Sequence, residues 1–166
     1  MKARFLALVA AAGLLGACKD FTSGNTVVCK TQAPTITGTK ADTVTSSIGV
    51  RYIETQVGTG AVADVCQTVT IDYDLYVAGS ATAFDSSHGT GRVPLTFLTG
   101  GGSLGVVGVD LGVVGMKQGG KRRLIIPPSL GYGSVARVDP TTGDVVVPAN
   151  STIIADVTLI TVGAKN

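Results

Sequence analysis

A chain of 166 residues has room for one ordinary domain and a short appendage, which excludes two large domains. It is 45% hydrophobic and 14% charged, with 23 Gly but only 4 Phe and 4 Tyr, which excludes a disordered polyelectrolyte and a coiled coil. The formal charge of +2 includes Lys2 and Arg4, and without them basic and acidic residues balance, so there is no electrostatic case for a nucleic-acid partner.

Those two cations open the chain as an export signal. They precede an apolar run over residues 5–15, too short to cross a bilayer of about 30 Å as a helix. The run closes on Leu14-Leu15-Gly16-Ala17-Cys18, which resembles the bacterial lipobox, where small residues admit the peptidase and the cysteine thiol takes up a diacylglycerol. On this reading residues 1–17 are a lipoprotein signal peptide, Cys18 is the lipidated first residue, and the membrane is reached by a lipid anchor. The alternative is ordinary secretion with Cys18 as a spare thiol. Lys19 follows, and in the sorting pattern this resembles, a residue other than Asp there implies the outer membrane of a bacterial envelope, facing the periplasm.

Residues 18–47 are rich in Thr, Ser, Gly and Ala without apolar periodicity, which suits a flexible tether of roughly 30 Å root-mean-square reach. With Cys18 assigned to lipid, Cys29 and Cys66 remain as an even pair in a disulfide-permitting compartment and are expected to bond, pinning the tether to the domain of residues 48–166. The competing reading is two idle or buried thiols.

Beyond the tether, alternation dominates. Val50 to Gln56 is a weak strand candidate. Val69, Ile71, Tyr73, Leu75 and Val77 lie two apart with polar or half-polar residues between them, the clearest strand in the chain. Leu95 to Leu98 is a further weak strand. Residues 106–116 alone offer a helix, with Val106, Val109 and Val113 on one stripe, although Gly108, Gly112 and Gly115 cost it about 1 kcal/mol each. Residues 122–126 form a β-rich run stopped by Pro127-Pro128, and Ile153, Ala155, Val157 and Leu159 repeat the alternation. Strands without alternating long helices predict an antiparallel α+β architecture.

Several chemistries lack material. The single histidine, His88, stands among serines and glycine and reads as a solvated loop residue, leaving little for a metal site or a Ser/His/Asp triad. Gly100, Gly102 and Gly105 satisfy a GxGxxG spacing, but no acidic residue stands about twenty residues on and no βαβ unit surrounds it. Lys121, Arg122 and Arg123 read as a strand with its charged heads in solvent. Asn150-Ser151-Thr152 reads as a turn entering the last strand rather than a glycosylation acceptor.

What remains is apolar and ordered. Phe84-Asp85-Ser86-Ser87 comes first, followed by residues 94–97 and then residues 106–120 ending in Met116-Lys117-Gln118-Gly119-Gly120. Ile126-Pro127-Pro128, Gly131-Tyr132-Gly133 and Val147-Pro148 complete the series. Together these motifs resemble the FKBP-type peptidyl-prolyl cis/trans isomerases over residues 48–162. The resemblance implies a twisted antiparallel β-sheet of five or six strands wrapped around one short α-helix, with a prolyl pocket between them. It also implies a monomeric isomerase without cofactor or metal, acting on X-Pro segments of exported proteins by a non-covalent mechanism.

Carried over by motif, the catalytic set is Tyr73, Phe84, Asp85, Val106 and Tyr132, and the substrate-binding set is Leu95, Phe97, Val109, Val147 and Ala155. The Tyr132 hydroxyl and the Val106 backbone N–H are the implied donors to substrate carbonyls. Asp85 either orients Tyr73 or presents its carboxylate to the twisting carbonyl carbon. The bland reading makes these side chains core, and for Phe97 it has equal standing. Three family aromatics are reduced here: a Trp to Val109, a Phe to Leu95 and a Phe to Ala155. Weak or selective activity is expected as a result, the alternative being a catalytically idle binding or chaperone module. Residues 134–145 form a loop longer than the family's shortest, placed to cover the pocket or recruit a partner.

Overall fold

The structure, a computed structural model, describes residues 36–37 and 43–165. Cys18 and Cys29 lie outside the described residues; Cys66 is disulfide-bonded, and its partner falls outside them as well.

The clearest alternation in the sequence becomes β4 (Gln67–Val77), which pairs along its length with β10 (Ile153–Lys165). Inward residues Val69 and Ile71 on β4, and Ile153, Ala155 and Leu159 on β10, have no exposed surface, as period-two patterning requires of a sheet with one covered face. On the far side of β10 lies β7 (Lys121–Ile126), followed by β3 (Arg51–Gln56). Strand β4 serves two partners on its other edge. Its first half pairs with β6 (Leu95–Leu98), its second with β5 (Ala83–Ser86). All pairings are antiparallel, giving the expected α+β class.

The sheet has eight strands rather than five or six, because β1 (Ile36–Thr37) and β2 (Val44–Ser46) extend it beyond β3. These strands fall within the stretch read as tether. Val44 and Ser46 are buried while Thr45 is exposed. Three residues of Thr, Ser and Val are too short a run for period two to stand out from a polar linker, and only pairing with β3 makes them a strand.

The helix α1 (Val107–Gly112) is shorter than the 106–116 span expected, ending before Gly115, which takes φ +82°. Val106, Val109 and Val113 are buried as the stripe requires. The glycines that weaken α1 as an isolated helix let it sit directly on β7. A Cβ at Gly112 would stand 2.7 Å from Leu124 Cδ1, and one at Gly108 would meet Ile126 still closer. Close approach to the sheet thus compensates for poor propensity.

The basic triplet departs from the solvated reading. Lys121 and Arg123 are exposed, but Arg122 is 3% exposed, because alternation on β7 turns it to the same face as Leu124 and Ile126. A short 3-10 turn, Pro128–Leu130, follows β7, and a hairpin of β8 (Arg137–Val138) and β9 (Val145–Val147) precedes β10.

Candidate functional site

Between the sheet and the start of α1 lies a hollow of about 120 Å³ lined by Tyr73 and Leu75 from β4, Asp85 from β5, Leu95 from β6, Leu104, Gly105, Val106 and Val109 around the helix start, and Tyr132. Its volume is comparable with the roughly 150 Å³ of an apolar cavity that admits benzene, the size class of a five-membered ring. Tyr73 stands on the inward row of β4 with Val69, Ile71 and Leu75, yet is only half-buried because the hollow opens above it.

The polar groups at the wall are held in place. The Tyr73 hydroxyl donates to Asp85 Oδ2 at 3.2 Å, while Asp85 Oδ1 accepts from Arg92 Nη1 at 2.9 Å and from its neighbour's backbone N–H at Ser86, also 2.9 Å. With Arg92 beside it, the carboxylate is offset in charge and fixed in direction. This geometry matches Asp85 orienting Tyr73. The Tyr132 ring meets Phe84 edge-on, centroids 6.1 Å apart, and carries the Arg137 guanidinium 5.2 Å from its centroid. Neither the Tyr132 hydroxyl nor the Val106 backbone N–H has a hydrogen-bond acceptor among the described residues. Two residues that line the hollow thus each carry a donor without an acceptor among the described residues.

Burial raises the pKa of Tyr132 above its ordinary 10.0; Arg137 opposes the shift and the Asp85 charge adds to it. Tyr73 is raised chiefly by burial, with the charge and hydrogen bond of Asp85 adding to the effect. Tyr52, beneath Arg122, is raised mainly by burial as well. Each of these hydroxyls is kept neutral by the fold. In the unfolded chain they ionise near pH 10, so stability is full below that point and falls as pH rises through it. A flat melting temperature between about pH 6 and 9, with a decline above pH 10, is the expected profile. A melting temperature that holds level well above pH 10 would contradict it.

Six of the ten motif-derived residues line the hollow: Tyr73, Asp85, Val106, Tyr132, Leu95 and Val109. Phe84 meets the Tyr132 ring edge-on and is not among the residues that line the hollow. Phe97, Val147 and Ala155 belong to the core. Ala155 is fully buried on β10 between Leu75 and Leu124, Phe97 pairs with Val69, and Val147 is 1% exposed at the end of β9. For Phe97 the bland reading describes its position. Leu75, Leu104, Gly105, Arg92 and Arg137 were missed. Leu75 was legible as the next inward residue after Tyr73, whereas Arg92 sits in a glycine-rich loop with no signal of its own.

Two other features resolve differently. A polar groove of about 410 Å³ on the outer face of the sheet includes Asp74, His88, Arg123 and Asp156. Arg123 pairs with Asp156 there, and the exposed His88 lies 3.2 Å from Asp74. The glycines of the GxGxxG spacing serve the helix. Gly100 and Gly102 donate backbone N–H bonds of 2.6 and 2.8 Å to the buried carboxylate of Asp110 on α1, tying down the loop that leads to Val106.

An antiparallel sheet covered by one short helix, with an apolar hollow edged by tyrosine hydroxyls between them, is the architecture of this domain. The model of the FKBP-type peptidyl-prolyl cis-trans isomerases matches residues 60–160, and the chain belongs to that family. Similar proteins span kingdoms. FK506-binding protein 4 of Aspergillus fumigatus is 35% identical over 136 residues, 78% of this chain and 26% of that protein. The crystal structure of FkpA from Escherichia coli aligns at 33% identity with a TM-score of 0.58, covering 74% of this chain and 52% of that one. AtFKBP13 aligns at 32% identity and TM-score 0.61, over 70% and 95% of the respective chains. The chain thus spans about a quarter of the fungal relative and about half of the bacterial one.

Proposed function

We propose that this chain accelerates cis/trans isomerisation of X-Pro bonds in exported polypeptides, held in the bacterial envelope by lipid on Cys18. The observation that carries the catalytic part is the hollow itself: room on the scale of a prolyl ring, lined by Tyr132 and Val106, whose hydroxyl and backbone N–H are unengaged among the described residues. Rotation about the amide faces about 18–20 kcal/mol because the planar form is resonance-stabilised, and no bond need break. A dry apolar cavity disfavours the dipolar planar amide relative to the twisted one, and donors aimed at the twisted chain's carbonyls bind that form preferentially. Each 1.36 kcal/mol or so of such preference gives about tenfold in rate. The lipobox-like run at residues 14–18 supports the anchor, and Lys19 supports an outer-membrane site facing the periplasm.

Activity on this reading is weak or selective. The aromatic losses at Val109 and Leu95 fall on the hollow, which they line, whereas the loss at Ala155 falls on core packing behind it. A protease-coupled assay on X-Pro peptides tests the proposal. Tyr132→Phe is expected to slow it by about fivefold, the value of roughly one hydrogen bond, and Asp85→Leu by at least as much through release of Tyr73 and Arg92. Wild-type rates equal to buffer across several X residues would overturn it. One observation favours a second reading, a binding module for unfolded chains: Val135, Val138 and Val145, on and beside the β8–β9 hairpin, are each more than half exposed. Slowed aggregation of a client by a protein silent in the assay would select that reading.

A further inference from the structure

The hairpin sets one cation against Tyr132 at the edge of the hollow. Arg137 on β8 is directly opposite Val147 on β9, and opposed residues of an antiparallel pair share a face. Val147 is buried in the core, so Arg137 also faces the domain, where its guanidinium comes to rest on the Tyr132 ring. The guanidinium carbon lies 5.2 Å from the ring centroid, and no N–H group of Arg137 makes a hydrogen bond among the described residues, so its fork of donors, suited to a carboxylate, is left for another acceptor.

Nothing among the described residues occupies that fork. Arg92, Arg122 and Arg123 each hold a carboxylate, of Asp85, Glu54 and Asp156 respectively, while Arg137 forms no ion pair. The nearby acids are engaged elsewhere or lie apart. Asp85 serves Arg92, Tyr73 and the Ser86 N–H; Asp139, in the hairpin turn, accepts from the N–H groups of Thr141 and Thr142; Asp144 in the same turn is not paired with Arg137. An arginine with no ion pair among the described residues therefore stands against Tyr132, one of the residues that line the hollow.

We propose that Arg137 is a specificity-determining residue, selecting X-Pro segments that carry a carboxylate side chain next to the proline. The inference rests on the X-Pro reading of the hollow. The shared chemistry is one carboxylate within reach of the rim, and the acid comes either from the residue before the proline or from the residue after it. Paired peptides differing only as Glu against Gln, placed before the proline in one pair and after it in the other, separate these sources.

In kcat/KM the wild type is expected to favour Glu by about two- to fivefold at one of the two positions, the range of an exposed ion pair, and to lose the preference in about 0.5 M salt. Arg137→Gln is expected to bring the ratio to about one. A wild-type ratio of one at both positions, or a preference unchanged in Arg137→Gln, overturns the proposal. Titrating the same peptides by fluorescence or calorimetry gives a readout that does not need catalysis. If no peptide is isomerised yet Glu peptides bind more tightly in an Arg137-dependent way, the isomerase reading fails and charge selection stands; equal binding of the two peptides, or none, removes the selection as well.

Discussion

Arg122→Ala is expected to destabilise the domain by about 2–4 kcal/mol, lowering its melting temperature by roughly 10 °C or more. The side chain is 2% exposed and holds four groups at once. Its Nε donates to Glu54 Oε1 at 3.0 Å, with Nη2 on the same oxygen. Its Nη1 donates to the carbonyls of Gly112 at 2.6 Å and Val114 at 3.1 Å. Its guanidinium lies 4.0 Å from the centroid of the Tyr52 ring. Gly112 closes α1, so the arginine satisfies a terminal carbonyl and places positive charge at the negative end of the helix.

Removing it strands a partly buried carboxylate and two carbonyls. Because Glu54 keeps 23% exposure, the loss falls below that of a fully buried pair. Lysine, a point charge without the planar fork, is expected to recover only part of it. The double variant Arg122→Met/Glu54→Leu is expected to be more stable than Arg122→Ala, since the stranded carboxylate is gone. Denaturant titration measures each, and a loss under about 1 kcal/mol for Arg122→Ala would show that the network contributes little.

Gly108→Ala is expected to destabilise by about 1–3 kcal/mol, although alanine is the better helix former by about 1 kcal/mol. The sign is the informative part. An added Cβ would stand 2.9 Å from Ile126 Cγ1 and 3.1 Å from its Cβ, with Cγ2 closer still, and Ile126 has no exposed surface into which to retreat. The helix must lift from β7, carrying Val106 and Val109 and so reshaping the hollow. On the proposed function, the isomerase rate is therefore expected to fall together with stability. Pairing the change with Ile126→Ala opens space for the new methyl, and the combined loss is expected to be smaller than the sum of the two single losses. A Gly108→Ala variant as stable as the parent would mean that the helix does not depend on close approach.

These two positions mark where linear patterning stops being informative. Alternation over residues 69–77 and 153–159 made β4 and β10 legible, because a sheet with one covered face imposes a two-residue repeat on any sequence that forms it. The stripe of Val106, Val109 and Val113 likewise placed the one helix. Of the site, the residues recognised by motif and found at the hollow are those whose local backbone directs them there: Tyr73 by strand alternation, Asp85 by its place on β5, and Val106 and Val109 by the helix start. Leu95 and Tyr132 complete that group from β6 and the turn after Pro128–Leu130.

Other assignments needed partners distant in the chain. The family's position for an aromatic at Ala155 became fully buried core because the central strand is covered by neighbours on both sides, and Val147 was taken inward by the hairpin. Arg122 and Arg123 are adjacent with the same charge, yet one is buried and the other exposed; the choice depends on Glu54 and the helix end being present across the sheet. Glycines that local propensity counts against a helix instead permit its docking.

The amino-acid order alone determined the α+β class, the main strands and the apolar character of the site, since these follow from repeats of two and 3.6 residues and from composition. Tertiary structure alone decided which charges are buried, where the sheet begins, and that Arg137 faces Tyr132. The physical reason is that burial, ion pairing and register are properties of residues brought together from far apart in the chain, and their energies do not exist until those residues meet.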